Sequence, residues 1–115
     1  MSTVSPTRPL PSVSRAEMAE LRAAAIDGAR RVTDLLQSLG VPVRIVGSLA
    51  KGTFGPYSDI DFLVLSCPPA LKYAIEGRVE DALSGHPFDV IYLDDIPDAK
   101  SARFLEYAVD ARDLR

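Results

Sequence analysis

VPVRIVGSLAKGTFGPYSDIDFLVL, running from Val41 to Leu65, is the stretch that decides how this chain folds. Val43, Ile45 and Val46 are branched residues suited to a pleated strand, and Gly47 ends the run. Pro42 has no amide hydrogen, which confines it to the first strand position or to an edge. Residues 47–58 then carry three glycines and a proline, too many breakers for a long regular element. The spacing leaves room for one short helical turn over about 48–52. Asp59–Leu65 (DIDFLVL) follows as a second strand, rich in branched and aromatic residues.

Working outward, Ser14 and Glu17 form a capping-box pair that predicts a helix over 15–39. Met18, Leu21, Ala25, Ala29, Val32, Leu35, Leu36 and Leu39 recur at helical spacing along it, and Gly40 stops it. Beyond the central stretch, Leu71, Ile75, Val79, Ala82 and Leu83 predict a helix over 70–84, stopped by Gly85. Pro87–Leu93 (PFDVIYL) predicts a third strand. A last helix is expected near 99–110, with Ala102, Leu105, Ala108 and Val109 facing inward. The order helix, strand, strand, helix, strand, helix predicts an α+β fold, a two-layer α/β arrangement of a small mixed sheet with helices on one face. The expected organisation is a disordered tail over 1–13 (MSTVSPTRPLPSV, with three prolines) and a single domain over 14–115.

The bulk numbers narrow the function classes. The chain has 115 residues, 47% hydrophobic and 25% charged, which suits one core built without disulfides. A net charge of -3 argues against direct nucleic-acid binding, which usually needs a basic face. One cysteine, Cys67, excludes an intrachain disulfide, and one cysteine with one histidine excludes a structural zinc site. No run approaches the roughly 18–20 apolar residues of a membrane span, so a cytoplasmic location is expected.

The chemistry gathers on three carboxylates. Asp59 and Asp61 are two apart on a strand, so both project to one side, about 7 Å apart at the backbone. Ile60, Phe62 and Val64 then face the opposite side, toward the helices. In the third strand Phe88, Val90 and Tyr92 alternate to one side and Asp89 to the other, so neighbouring strands would bring Asp89 to the face of Asp59 and Asp61. Three convergent carboxylates repel one another unless a cation lies between them, and magnesium is the natural one, as in two-metal phosphoryl transfer. Gly47 permits close approach of backbone to a phosphate, the Ser48 hydroxyl can donate to a phosphate oxygen, and Lys51 can add a point charge. Taken singly, each of these features is also what an ordinary turn or solvated strand end looks like.

Together they resemble a known signature. Gly47-Ser48, ten intervening residues, then Asp59-x-Asp61 is similar to the motif of the polymerase-beta-like nucleotidyltransferase superfamily. GSLAKGTFGPYSDIDFLVL resembles its minimal nucleotidyltransferase branch, down to Ser58 before the first aspartate, and Asp89 falls where the family's third carboxylate lies. The resemblance implies catalysis and metal binding by Asp59, Asp61 and Asp89 with two Mg²⁺ ions. It also implies nucleotide binding by Gly47, Ser48, Lys51 and Ser58, and transfer of AMP from ATP to a hydroxyl with loss of pyrophosphate.

Larger relatives of that superfamily carry a second domain for the acceptor, and none is legible in these 115 residues. The resemblance therefore implies either that a partner supplies the acceptor domain or that the acceptor is itself a protein. Minimal members are commonly antitoxins that adenylylate a tyrosine of a helical HEPN ribonuclease toxin. Two other readings stand beside this one. One is a non-catalytic module that inhibits its toxin by occlusion; the other is an enzyme modifying a small molecule such as an aminoglycoside. Leu63, Leu65, Ile91 and Leu93 share the aspartates' side of the sheet. That side is either left partly open as an apolar interaction patch or covered by the first helix or the C-terminal segment.

Overall fold

The computed structural model describes residues 13–115, so the tail expected over 1–13 lies, but for Val13, outside the described residues. Helix α1, Arg15–Ser38, opens on the expected capping box. Ser14 Oγ accepts from the Glu17 amide at 3.1 Å, and Glu17 Oε1 accepts from the Ser14 amide at 3.3 Å. At the far end Gly40 sits at φ +79°, and the Gly40 and Val41 amides donate to the carbonyls of Gln37 and Leu36. These two bonds satisfy carbonyls the helix leaves orphaned, in a Schellman arrangement.

Strands β1 (Val43–Val46), β2 (Ile60–Val64) and β3 (Phe88–Tyr92) make one sheet in the order β1-β2-β3. β1 runs antiparallel to β2, and β3 runs parallel to it. A parallel neighbour requires a crossover. Helix α3, Pro69–Leu83, supplies it, and the short helix α2, Gly47–Lys51, fills the link between β1 and β2. The mixed three-stranded sheet confirms the α+β architecture.

Alternation along β2 divides the molecule. Ile60, Phe62 and Val64 are all at most 1% exposed, packed with Ala29, Val32 and Leu36 of α1 and with Ile75, Val79 and Leu83 of α3. Gly28 lets the two helices close up, since a Cβ there would come within 2.9 Å of Leu83 Cδ2. The apolar stripe of α1 does this only from Ala25 onward. Leu21, expected on that stripe, is exposed.

The last quarter of the chain departs from the expectation. Helix α4, Asp98–Tyr107, ends before Ala108 and Val109 and has no buried residue. Ala102 and Leu105, expected inward, are exposed. The inward assignment assumed a helix resting on the main core, and α4 does not touch that core. The chain leaves β3 at one edge of the sheet, and Val109 pairs with Ile45 of β1 at the other. α4 must therefore cross the sheet's second face between them. Leu63 is fully buried on that face, while Leu65, Ile91 and Leu93 are half-buried. This side is therefore neither fully open nor fully covered: Leu63 is buried, and α4 stands across a cleft from Ile91.

Two arginines of α1 fasten the end of the chain. Arg30 donates to the carbonyls of Ala111 and Leu114 at 3.1 and 2.9 Å. Arg22 donates to the carbonyl of Arg115, and Ala111 and Leu114 enter the main core. Val109 and Ile45 exchange both backbone hydrogen bonds, at 2.7 and 2.8 Å. Among the described residues, no helix is long and apolar enough to cross a membrane.

Removing the Arg30 clamp should loosen the C-terminal segment before the core. Arg30→Ala is expected to cost about 2 kcal/mol in urea denaturation, from two charge-assisted hydrogen bonds with carbonyl partners. Amide exchange should accelerate at Val109 and Ile45 far more than at Phe62.

Candidate active site

Asp61 lies second in the middle strand, with Val46 as its partner on β1 and Asp89 on β3. Neighbouring strands are about 4.8 Å apart, so Asp61 and Asp89 stand side by side on the face opposite Phe62. Asp59 precedes β2 by one residue and is half-buried, as is Asp61, whereas Asp89 is exposed. Burial, and then the charges of Asp89 and Asp59, hold the Asp61 carboxyl above its ordinary value. Asp61 is therefore within electrostatic reach of both of the other carboxylates.

Gly47 meets this cluster directly. It adopts φ +74°, and a Cβ built on it would collide with Oδ2 of Asp61 and lie 3.0 Å from Asp61 Cγ. Only glycine fits, both for its backbone angle and for the carboxylate resting against its Cα. Gly47 is thereby placed against Asp61, whereas Ser48 is not among the residues that line the cleft over that carboxyl. Ser48 is half-buried within α2. Ser58 acts more locally. Its Oγ accepts from the Gly55 amide at 2.8 Å, and its own amide donates back to the Gly55 carbonyl. That pair closes the turn which delivers Asp59. Phe54 is buried and stacks on His86 with ring centroids 5.9 Å apart, so it supports the loop from beneath, while Tyr57 is exposed.

A cleft of about 870 Å³ opens over Asp61, within the size range of small-molecule sites. One wall carries Gly47 and Lys51 from α2, together with Val46. The opposite wall is α4, through Lys100, Arg103, Phe104 and Tyr107. Sequence reading missed these four. Their spacing of i, i+3, i+4 and i+7 was a visible signal for one helix face, but the small apolar residues at 102, 105, 108 and 109 drew the inward assignment elsewhere.

A divalent cation fits the donor set. The oxygens are hard, one carboxyl is desolvated and repelled by its neighbours, and the Cα of Gly47 cradles that carboxyl. Among the described residues no three His, Cys, Asp or Glu side chains are gathered into a ready-made metal cage. Asp59 and Asp61 would thus be one part of a coordination shell completed by a ligand's oxygens, which is how magnesium is usually held.

Comparisons with known proteins point the same way. A family model described as "Nucleotidyltransferase domain" matches residues 29–111. A solved structure described as that of a "putative minimal nucleotidyltransferase" superposes with a TM-score of 0.61 at 26% identity, over 79% of this chain and 92% of that one. No curated protein matches the chain significantly.

Two outcomes test this geometry. Gly47→Ala should cost about 1–3 kcal/mol from the left-handed backbone and displace the Asp61 carboxyl, so that magnesium no longer raises the melting temperature. Asp61→Asn acts oppositely in metal-free buffer. Because the native carboxyl titrates above its unfolded value, its ionisation costs stability once pH rises through that native value, and costs nothing below the unfolded range near pH ~4. The Asn variant should melt a few degrees higher than the wild type at pH 7. That gain should vanish as pH falls toward 4.

Proposed function

Since the chain belongs to the nucleotidyltransferase domain family, we propose that it transfers AMP from Mg-ATP to a hydroxyl of a partner protein, a tyrosine of a helical HEPN ribonuclease toxin, and so acts as the antitoxin of such a pair. Nucleotidyl transfer is the chemistry of the family; donor, acceptor and biological role are our own reading. The observation that carries it is the seating of Asp61 against Gly47 with Asp89 alongside. It joins a glycine that lets a phosphate approach the backbone to a cluster of carboxylates in need of a cation.

In this reading Asp59 and Asp61 would hold magnesium, with Asp89 completing the carboxylate set. The bound metal would supply charge to neutralise the triphosphate and to acidify the attacking hydroxyl. Gly47 and Ser48 position the phosphate tail, Lys51 adds positive charge from the end of α2, and Ser58 holds the turn that presents Asp59. The acceptor oxygen forms a bond to the α-phosphorus while the bond from that phosphorus to the bridging oxygen breaks. Pyrophosphate leaves with the electron pair. The hydroxyl proton passes to Asp89 or through it to solvent, a role its exposure suits. Exposure of Asp89 also leaves the transfer point within reach of a side chain from another macromolecule, which favours a protein acceptor.

Incubation with Mg-ATP and a purified HEPN ribonuclease is the direct test. The expected result is a mass gain of one AMP on a partner tyrosine, loss of ribonuclease activity, and no modification with Asp61→Asn. Inhibition of the ribonuclease without any mass gain, equally strong with Asp61→Asn, would instead establish occlusion by a non-catalytic module.

A further inference from the structure

Resting on the nucleotidyl-transfer reading above, we propose that α4 is the second half of the nucleotide site, with Lys100 and Arg103 binding the phosphate tail and Phe104 and Tyr107 receiving the base. Three observations converge on this. First, the four residues lie on one face of α4 and line the same cleft as Asp61, Gly47 and Lys51. Second, the face is not consumed by folding. α4 has no buried residue, Phe104 is half-buried and Tyr107 is 57% exposed.

Third, the charges across the cleft are unmatched. Among the described residues, the carboxylate-paired cations are Arg44 and Arg112 with Asp110 and Lys72 with Asp95, all away from this cleft. Lys51, Lys100 and Arg103 have no carboxylate partner there, although Asp61 lines the same cavity. Unneutralised cations and carboxylates on one small site call for a ligand that brings both signs, namely a divalent cation bound to a polyanion. The order of residues along α4 adds an apolar end. Cations come at 100 and 103 and aromatics at 104 and 107, and Lys100 to Tyr107 spans about 10 Å of helix rise. A flat ring system at the far end of a phosphate chain matches that order. A bare polyphosphate would leave the aromatic end unused.

Stacking accepts any base face, so the aromatic end contributes affinity with little discrimination among bases. Arg103 is suited to planar, forked contact with phosphate, whereas Lys100 supplies a point charge.

Calorimetric titration of the full chain with Mg-ATP and with magnesium tripolyphosphate separates the two halves. The Lys100→Ala/Arg103→Ala double variant should bind both ligands at least tenfold more weakly than wild type. Tyr107→Ala should weaken Mg-ATP about tenfold, leave tripolyphosphate unchanged, and be rescued by Tyr107→Phe. Alanine is the best helix former and α4 buries nothing, so both variants should keep the wild-type melting temperature. Unchanged Mg-ATP affinity in both variants would overturn the role of α4 while leaving the nucleotide site itself intact. Equal weakening of both ligands in Tyr107→Ala would overturn the base assignment. A wild type that binds neither ligand would overturn this proposal together with the reading beneath it.

Discussion

The carboxyl of Asp61 rests on the bare Cα of Gly47, and most of what is specific to this fold follows from making that contact possible. Neither partner can retreat. Asp61 is flanked in sequence by Ile60 and Phe62, both fixed in the core, so its side chain has only the opposite face to occupy. Gly47 directly follows β1, whose last residue, Val46, is paired with Asp61 itself. The contact is therefore a product of register, and register is fixed by which residues of β2 can be buried. A slip of one residue would carry two aspartates into the hydrocarbon core.

Like charges then set the site's energetics. Desolvation together with Asp89 and Asp59 makes the ionised form of Asp61 costly, and the main core on the other face of the sheet keeps the arrangement in place. A site held in an unfavourable electrostatic state by distant packing is preorganised for a cation, because the protein does not have to rearrange to receive one. α4 complements this from a weaker position. It crosses the second face without burying a residue and is held mainly through its neighbours, by Val109 on β1 and by the arginines of α1 beyond it. Low burial is also what allows a wall of the cleft to carry cations and aromatic rings rather than aliphatic residues.

Much of this was legible in the residues. The capping box at Ser14, the stop at Gly40, the three strands and the crossover helix all sit within a residue or two of expectation, because each has a local cause in capping, turn or alternation chemistry. Alternation put Asp89 on the face of Asp61 provided the two strands were neighbours, and the observed pairing of β2 with β3 meets that condition. The last helix was expected and is present as α4, but the face it presents was not legible, because periodicity identifies a buried face only when a helix has one. Ala102 and Leu105 suggested a stripe, yet the helix faces a cleft and presents Arg103 and Phe104 to it. The covering of Leu63 was hidden for a related reason. It depends on the chain crossing from one sheet edge to the other, and that path is set by where Val109 finds a partner, a long-range contact with no local signature. Ser58 was assigned to the nucleotide by resemblance, and the structure adds its hydrogen bond to Gly55.

The pairing of Val109 with Ile45 has one more consequence, for what the sheet presents to other chains. An unpaired strand edge is a template for adding foreign strands, and in a sheet of three it is a serious exposure. On the β1 side Val109 occupies part of that edge. On the β3 side, strand pairing among the described residues ends with β3 itself. That strand carries Asp89 near its start and is followed, after Leu93, by Asp94, while Asp95 is paired with Lys72. Negative charge along an open edge discourages self-association, so the carboxylate assigned to chemistry also guards the rim of the sheet. A cation that quiets the repulsion at the site would, in the same act, lower that guard.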